Sequence, residues 1–278
     1  MVMDVRKDVA SRLGTKLGVG FTDQLDEALG SADAVSICTP AVTHFDVATQ
    51  ALKRGKHVLV EKPITTRLED ADALVDLAAK QKLILQTGHV ERFNGAVKTI
   101  KEMVKNPIFI ECDRIGIYDQ RIADVGVVLD LMIHDIDILL YLVRSTVTDI
   151  QAVGMSIFSE NEDFVNARLT FASGTVCNIT ASRMAQKRVR KLRIFEKSRY
   201  ISMDYYGQEA LTFTRNGFVG DETPYQPIDI RKTNSLTDEL SAFVACVREN
   251  RPPQVRGQEG REALEVALKV LEQIKKRS

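Results

Sequence analysis

At 278 residues the chain is long enough for two domains with separate cores, and its 38 basic side chains balance 38 acidic ones, so no net field favours nucleic acid or an anionic membrane. Its apolar runs, such as 125–133, are too short to span a bilayer, and the start MVMDVRKD lacks the apolar stretch of a secretory signal. Cys38, Cys112, Cys177 and Cys246 are scattered without a CxxC pair, which argues against a zinc site or a disulfide framework and fits a reduced, cytoplasmic compartment.

The first third alternates helix and strand signals. Residues 4–13 predict a helix with Asp4 as N-cap and Gly14 as its stop. A short strand follows at 19–21, and Thr22 caps a helix running to about residue 29. AVSIC (34–38) reads as a buried strand, 43–53 as a helix ended by Gly55, and HVLV (57–60) as another strand. Residues 68–81 place Leu68, Ala71, Leu74, Val75 and Ala78 on one helical face, and 83–87 is again a strand. Such alternation predicts a parallel sheet wound on both sides, a nucleotide-binding architecture.

After Gly88 the character changes. A helix at 94–105, a strand at 107–116 and a helix at 126–141 lead into a run of strands at 150–159, 164–171, 175–183, 189–196, 200–205 and 211–214. The turn Ala172-Ser173-Gly174 joins two of them as a hairpin, and amphipathic helices at 236–249 and 260–275 close the chain on either side of Pro252-Pro253. The expectation is an α/β chain: a Rossmann domain over 1–89, then an α+β domain over 90–278 with a large, mostly antiparallel open sheet. One face of that sheet is covered by the helix at 126–141, and the other is a natural surface for a homodimer or homotetramer.

The helix GVVLDLMIHDIDILLY (126–141) is apolar almost all the way round, which predicts burial. Yet it carries Asp130, His134, Asp135 and Asp137. Asp130 and His134 are four apart and Asp137 is three further on, so these three stack along one face. Unpaired buried charge is costly, so they need partners or a polar cavity. Two readings stay open from the residues alone: a satisfied structural network at a domain interface, or an active-site helix whose polar stripe faces a cleft. A metal on the stripe lacks a second His placed to help, and none is expected.

Four strings fall into one frame: CTPAVTH (38–44), VLVEKP (58–63), GHVERFN (88–94) and GVVLDLMIHDIDILL (126–140). In this order and spacing the chain resembles the Gfo/Idh/MocA family, dehydrogenases related to glucose–fructose oxidoreductase and inositol dehydrogenase. EKP after a buried strand, followed by D-x-x-x-H on a later helix, is the family's signature. The resemblance continues through the C-terminal PPQVRGQEGREALEVAL. GHVERFN and DLMIHDID look most like the branch that oxidises UDP-N-acetylglucosamine, or its uronate, at C3.

The chain departs from the family at its start. A Rossmann domain opens with a strand and a G-x-G-x-x-G loop whose helix N-terminus holds a pyrophosphate, and an acidic residue for the ribose lies about 20 residues later. Asp4 looks like that acidic residue, yet only three residues precede it. Gly18-Val-Gly20 follows a helix and lacks a third glycine. The expectation is therefore an N-terminally shortened Rossmann domain, either from a late start site or as a true loss. The first strand is central in the 3-2-1-4-5-6 order, so its loss exposes a sheet edge and uncovers apolar helix faces.

The resemblance implies NAD as cofactor, and Asp4 favours it over NADP because a carboxylate repels a 2′-phosphate. Thr39, Pro40 and His44 border the cofactor, and Glu61 and Lys62 lie by the nicotinamide ribose. Lys62 also donates a hydrogen bond to the reacting hydroxyl, unless it is only a partly buried partner of Glu61. His134 is the general base, since an imidazole titrates near neutral pH. Asp130 orients His134 or holds a sugar hydroxyl, and Asp137 stands behind them or at an interface. Arg92 and Asn94 are substrate or domain-interface contacts. Arg183 either reaches a diphosphate or is a solvated strand end. His57 reads as structural, His89 as either, and the basic run 187–193 as a solvated face. The function implied is NAD-dependent oxidation of a nucleotide-sugar hydroxyl. The alternatives are a dehydrogenase of a free polyol or sugar, and a shortened, non-catalytic paralogue acting as a dimeric binding protein.

Overall fold

The computed structural model describes residues 1–118, 125–214 and 225–276. Its contacts divide the chain into two units, Met1–Gly88 with Ser241–Gln258, and His89–Leu240 with Glu259–Ser278. The expected single break after residue 89 did not include this return of the chain.

The first unit runs β1 (Val2–Met3), α1 (Lys7–Leu17), β2 (Phe21–Thr22), α2 (Leu25–Gly30), β3 (Ala34–Ile37), α3 (His44–Lys53), β4 (His57–Glu61), α4 (Leu68–Gln81) and β5 (Leu85–Gly88). All its strand pairs are parallel, as the alternation predicts, but they form two sheets: β1-β2 and β3-β4-β5. In the doubly wound order these are the 3-2 and 4-5-6 pieces, parted where a central strand would lie. On α1, Leu13 is 39% exposed and Leu17, one turn further on, is 63% exposed. Leu59 and Ile84 pack with Phe243 and Cys246, so the returning segment helps build this core.

Two local expectations are corrected here. Gly14 does not stop α1, which runs on to Gly18, in the left-handed region at φ +66°. Gly14 instead lets the helix meet β2, because a Cβ there would lie 2.8 Å from the Cβ of Phe21. Asp4 does not cap α1 either; its carboxylate accepts the Arg6 N–H at 2.8 Å. Thr22 acts near its assigned place, accepting the Gln24 N–H and donating to Glu27.

The second unit holds α5 (Gly95–Met103), β6 (Phe109–Ile115), α6 (Ile133–Val143), β7 (Val147–Met155), β8 (Phe164–Phe171), β9 (Val176–Ser182), β10 (Val189–Phe195), β11 (Arg199–Asp204), β12 (Glu209–Thr214) and β13 (Gln226–Pro227). These eight strands form one sheet in the order β13-β12-β11-β10-β6-β9-β8-β7. The β6–β9 pair is parallel and the others are antiparallel. Two helices, α7 (Ser235–Glu249) and α8 (Gly257–Lys275), end the chain. Period-two alternation turns Ile110, Cys112, Cys177, Ile179, Leu192 and Ile194 inward, where they pack against Ile133, Ile136 and Leu139 of α6 and Ala263 and Ala267 of α8. The opposite face is open, with an aromatic run Phe109–Phe195–Tyr200 at ring separations of 5.6 and 4.9 Å. The 172–174 turn forms the expected hairpin, with Gly174 at φ +86°. Among the described residues no helix is long and apolar enough to cross a membrane.

Candidate active site

In the first unit the candidate cofactor residues gather at the carboxyl ends of the parallel strands, where dinucleotides lie in such sheets. Asp4 follows β1 directly, its side chain 30% exposed. Thr39 and Pro40 follow β3, and Thr43 ties that loop by donating to the Pro40 carbonyl at 2.8 Å. Glu61 ends β4, and its carboxylate accepts the Lys62 backbone N–H at 3.3 Å. Gly88, its neighbour across the ladder, leaves room for that carboxylate; a Cβ there would lie 2.9 Å from Glu61 Oε2. His44 is only 1% exposed, with Nδ1 2.8 Å from the Pro63 carbonyl and Nε2 2.8 Å from the Thr39 carbonyl. It is therefore a strut between the loops after β3 and β4, and reaches a cofactor only through them. His57 Nδ1 accepts the Ile84 N–H at 2.9 Å, a structural bond as expected.

These residues are of the kind that ribose hydroxyls need: a carboxylate after β1, and at the end of β4 a glycine-cleared carboxylate followed by a lysine. At the end of β5, the Thr87 hydroxyl and both Gln86 amide atoms are buried without hydrogen-bond partners among the described residues. No G-x-G-x-x-G stands in the sequence to cradle a pyrophosphate.

In the second unit the polar helix divides its charges. It opens with a π-helical turn, Val128–Met132, which carries Asp130 and leads into α6 with His134 in its first turn. Such turns recur at functional sites because they re-aim side chains relative to a regular helix. Asp130 and His134 stay half-buried, while Asp135 and Asp137 are each 1% exposed. The expected three-residue stripe is thus corrected: Asp137 turns into the core and leaves Asp130 and His134 together.

The buried carboxylates are paired. Arg92 holds Asp137 with two bonds, Nε–Oδ2 at 2.6 Å and Nη2–Oδ1 at 2.7 Å. Arg114 holds Asp135 in the same way at 2.7 and 3.0 Å and donates to Glu91 at 3.1 Å. Burial disfavours the Arg114 guanidinium, but Asp135 and Glu91 outweigh it and raise its pKa, so it stays charged. With Arg190 3.7 Å from Glu91, three arginines face three carboxylates and the cluster is neutral. His89, 1% exposed, lies 4.0 Å from Asp137.

Three sequence-assigned substrate contacts lie inside this framework. Arg92, 3% exposed, is the Asp137 partner. Asn94 caps α5 by accepting the Ala96 N–H at 3.0 Å and donates to Glu91 and the Tyr205 carbonyl. Arg183 is no solvated strand end: it is 3% exposed and donates to Asp163 at 2.6 Å, Ser159 at 2.7 Å and the Val125 carbonyl at 2.8 Å. The basic run is only partly a solvated face, since Arg193 also bonds Glu111 and Asp113 across the open face.

Glu91, Arg114, Glu162 and Asp163 were not foreseen. Arg114 had a signal, because FIECDRI alternates and places it at the inward parity of Ile110 and Cys112. Glu162 and Asp163 sit in a polar turn with no such signal. Among the described residues no group of three or more His, Cys, Asp or Glu is arranged to hold a metal.

Residues 1–89 match the family described as "Oxidoreductase family, NAD-binding Rossmann fold", and residues 113–198 match the "GFO/IDH/MocA C-terminal domain". UDP-N-acetylglucosamine 3-dehydrogenase of Acidithiobacillus ferrooxidans is 33% identical over 97% of this chain and 87% of its own length. Its solved structure superposes with a TM-score of 0.93 at 32% identity, covering 99% of this chain and 89% of that one. Myo-inositol 2-dehydrogenase of Thermotoga maritima is 28% identical over 95% of this chain and 84% of its own length.

Proposed function

This chain belongs to the Gfo/Idh/MocA family of NAD-binding oxidoreductases, and from that premise we propose that it oxidises a sugar hydroxyl, C3 of a UDP-N-acetylhexosamine. The observation that carries the reading is the pair Asp130 and His134, kept half-exposed on a helix whose other two carboxylates are consumed by arginines. The similarity to a UDP-N-acetylglucosamine 3-dehydrogenase supports the choice of substrate class.

NAD, when bound, supplies the hydride acceptor. The residues of this chain supply the rest. His134 takes the hydroxyl proton, a role that an imidazole suits as a side-chain type. Lys62 donates to the reacting oxygen and favours its alkoxide character as the proton leaves. Asp130 orients the imidazole or a neighbouring hydroxyl. Asp4 accepts from the adenosine ribose and disfavours a 2′-phosphate. Thr39, Pro40 and Glu61 border the cofactor, with His44 beneath them as a strut. Arg92, Asn94 and Arg183 serve the substrate by fixing the helix and its surroundings. The four cysteines are free thiols, in keeping with a reducing cytoplasm.

A second reading, a dehydrogenase of a free polyol, is favoured by the similarity to a myo-inositol 2-dehydrogenase. A panel of UDP-N-acetylglucosamine, its uronate, free sugars and inositols, scored by NADH formation, separates the two. Turnover confined to the nucleotide sugars supports the first reading, and turnover confined to inositols or free sugars overturns it.

A further inference from the structure

We infer that Glu162, in the connection between β7 and β8, is a positioning residue that sets the Asp130–His134 pair; this rests on the dehydrogenase reading above. The first N–H groups of any helix lack intrahelical acceptors and must find others. Here they find one residue, distant in sequence. Val127 N–H donates to the Glu162 carbonyl at 2.9 Å, and Val128 N–H donates to the Glu162 carboxylate at 3.1 Å. Asp130 is two residues beyond that anchor, its own N–H returning to the Gly126 carbonyl at 3.1 Å. His134 follows one turn later.

The approach depends on Gly126. A Cβ at that position would sit 2.0 Å from Glu162 Oε1, so a larger residue there would push the carboxylate away from the Val128 N–H. Gly126 therefore serves contact between helix start and connection.

The connection is itself clamped. Asp163, fully buried, accepts N–H groups from Ile157 at 2.7 Å, Phe158 at 2.5 Å and Ser159 at 3.2 Å, together with the Arg183 guanidinium at 2.6 Å. Arg183 then reaches across to the Val125 carbonyl at 2.8 Å, one residue before Gly126. The chain just ahead of the helix and the turn that caps it thus share one guanidinium. The path Asp163–Arg183–Val125 and the path Glu162–Val127–Val128 fix the same π turn from two sides. A helix start held this way keeps a side chain aimed where an ordinary frayed first turn would not.

The test compares Glu162→Ala with Glu162→Gln. A neutral amide oxygen still accepts the Val128 N–H, whereas alanine offers no acceptor. The expected result for E162A is a kcat lowered about 10–100-fold, the cost of misplacing reacting groups by about an ångström. NADH affinity should be unchanged, the acid limb of the pH–rate profile should be displaced, and E162Q should recover most of the loss. Wild-type kcat and profile in E162A would overturn the inference, as would an E162Q as damaged as E162A. A second readout needs no turnover: the NMR titration curve of the His134 ring and hydrogen exchange at Val127–Asp130. A displaced His134 curve with lost amide protection in E162A supports the inference, and an unchanged curve overturns it. Absence of turnover in the wild type would count against the dehydrogenase reading alone, because the His134 titration still decides the role of Glu162.

Discussion

His134 carries the sharpest expectation at the scale of single residues. Replacing it with Asn keeps a polar side chain but removes a base that titrates near neutrality, and kcat should fall about 10²–10⁴-fold with little change in NADH affinity. In the unmodified chain, kcat/KM should fall on the acid side as the imidazole takes a proton, through a limb that the Asn variant lacks; a pH–rate profile reads both. Asp4 carries a second. Removing its carboxylate in Asp4→Ala should weaken NADH binding about tenfold and narrow the preference over NADPH, measured by parallel fluorescence titrations. Both proposals come from a motif frame in the sequence, the D-x-x-x-H spacing and the run VMDVRKD. Arg92, Asn94 and Arg183 show the limit of such reading. Their strings mark them as polar groups in an important place, but only the fold shows that Arg92 donates to Asp137, that Asn94 accepts from the first turn of α5, and that Arg183 donates to Asp163.

Among the elements, the clamp in the connection between β7 and β8 has a measurable signature. Burial alone would raise the Asp163 carboxyl, but the backbone N–H groups of Phe158, Ile157 and Ser159, with Arg183, outweigh it and hold its pKa well below the usual range. A carboxyl depressed on folding stabilises the native state above its unfolded pKa, about 3.9, and that contribution is lost as pH falls further. Stability measured by denaturant should therefore drop below about pH 4 in the wild type. Asp163→Asn should cost about 3–5 kcal/mol near neutral pH by removing the charge that faces the buried Arg183 guanidinium, and should flatten the acid loss. The boundaries of most elements follow from hydrophobic period and turn residues, whereas the π turn at Val128–Met132 does not. The N–H groups at its start are accepted by Glu162, more than 30 residues away, and no local pattern encodes such a contact. Gly14 and Gly126 teach the same point, since each was needed for a neighbour rather than for a turn.

At the scale of the whole molecule, the two broad architectures were legible because period and composition change after Gly88. The division of the parallel strands into two sheets, β1-β2 and β3-β4-β5, was not foreseen. The return of Ser241–Gln258 to the first unit was not legible, because an amphipathic helix carries no label for which core it joins. The open sheet face, with Phe195 37% exposed beside Phe109 and Tyr200, is proposed to bury itself against a second copy. Sedimentation should then give the mass of two or four 31.1 kDa chains, and Phe195→Asp should lower it toward one.

The central claim is tested most directly by supplying the purified chain with NAD and UDP-N-acetylglucosamine and following NADH absorbance, with NADH binding titrated by fluorescence in the same preparation. The account predicts saturable NADH binding and NADH formation that depends on the nucleotide sugar and is lost in His134→Asn. Saturable NADH binding without any turnover of the nucleotide sugar, or turnover that survives the loss of His134, would contradict it.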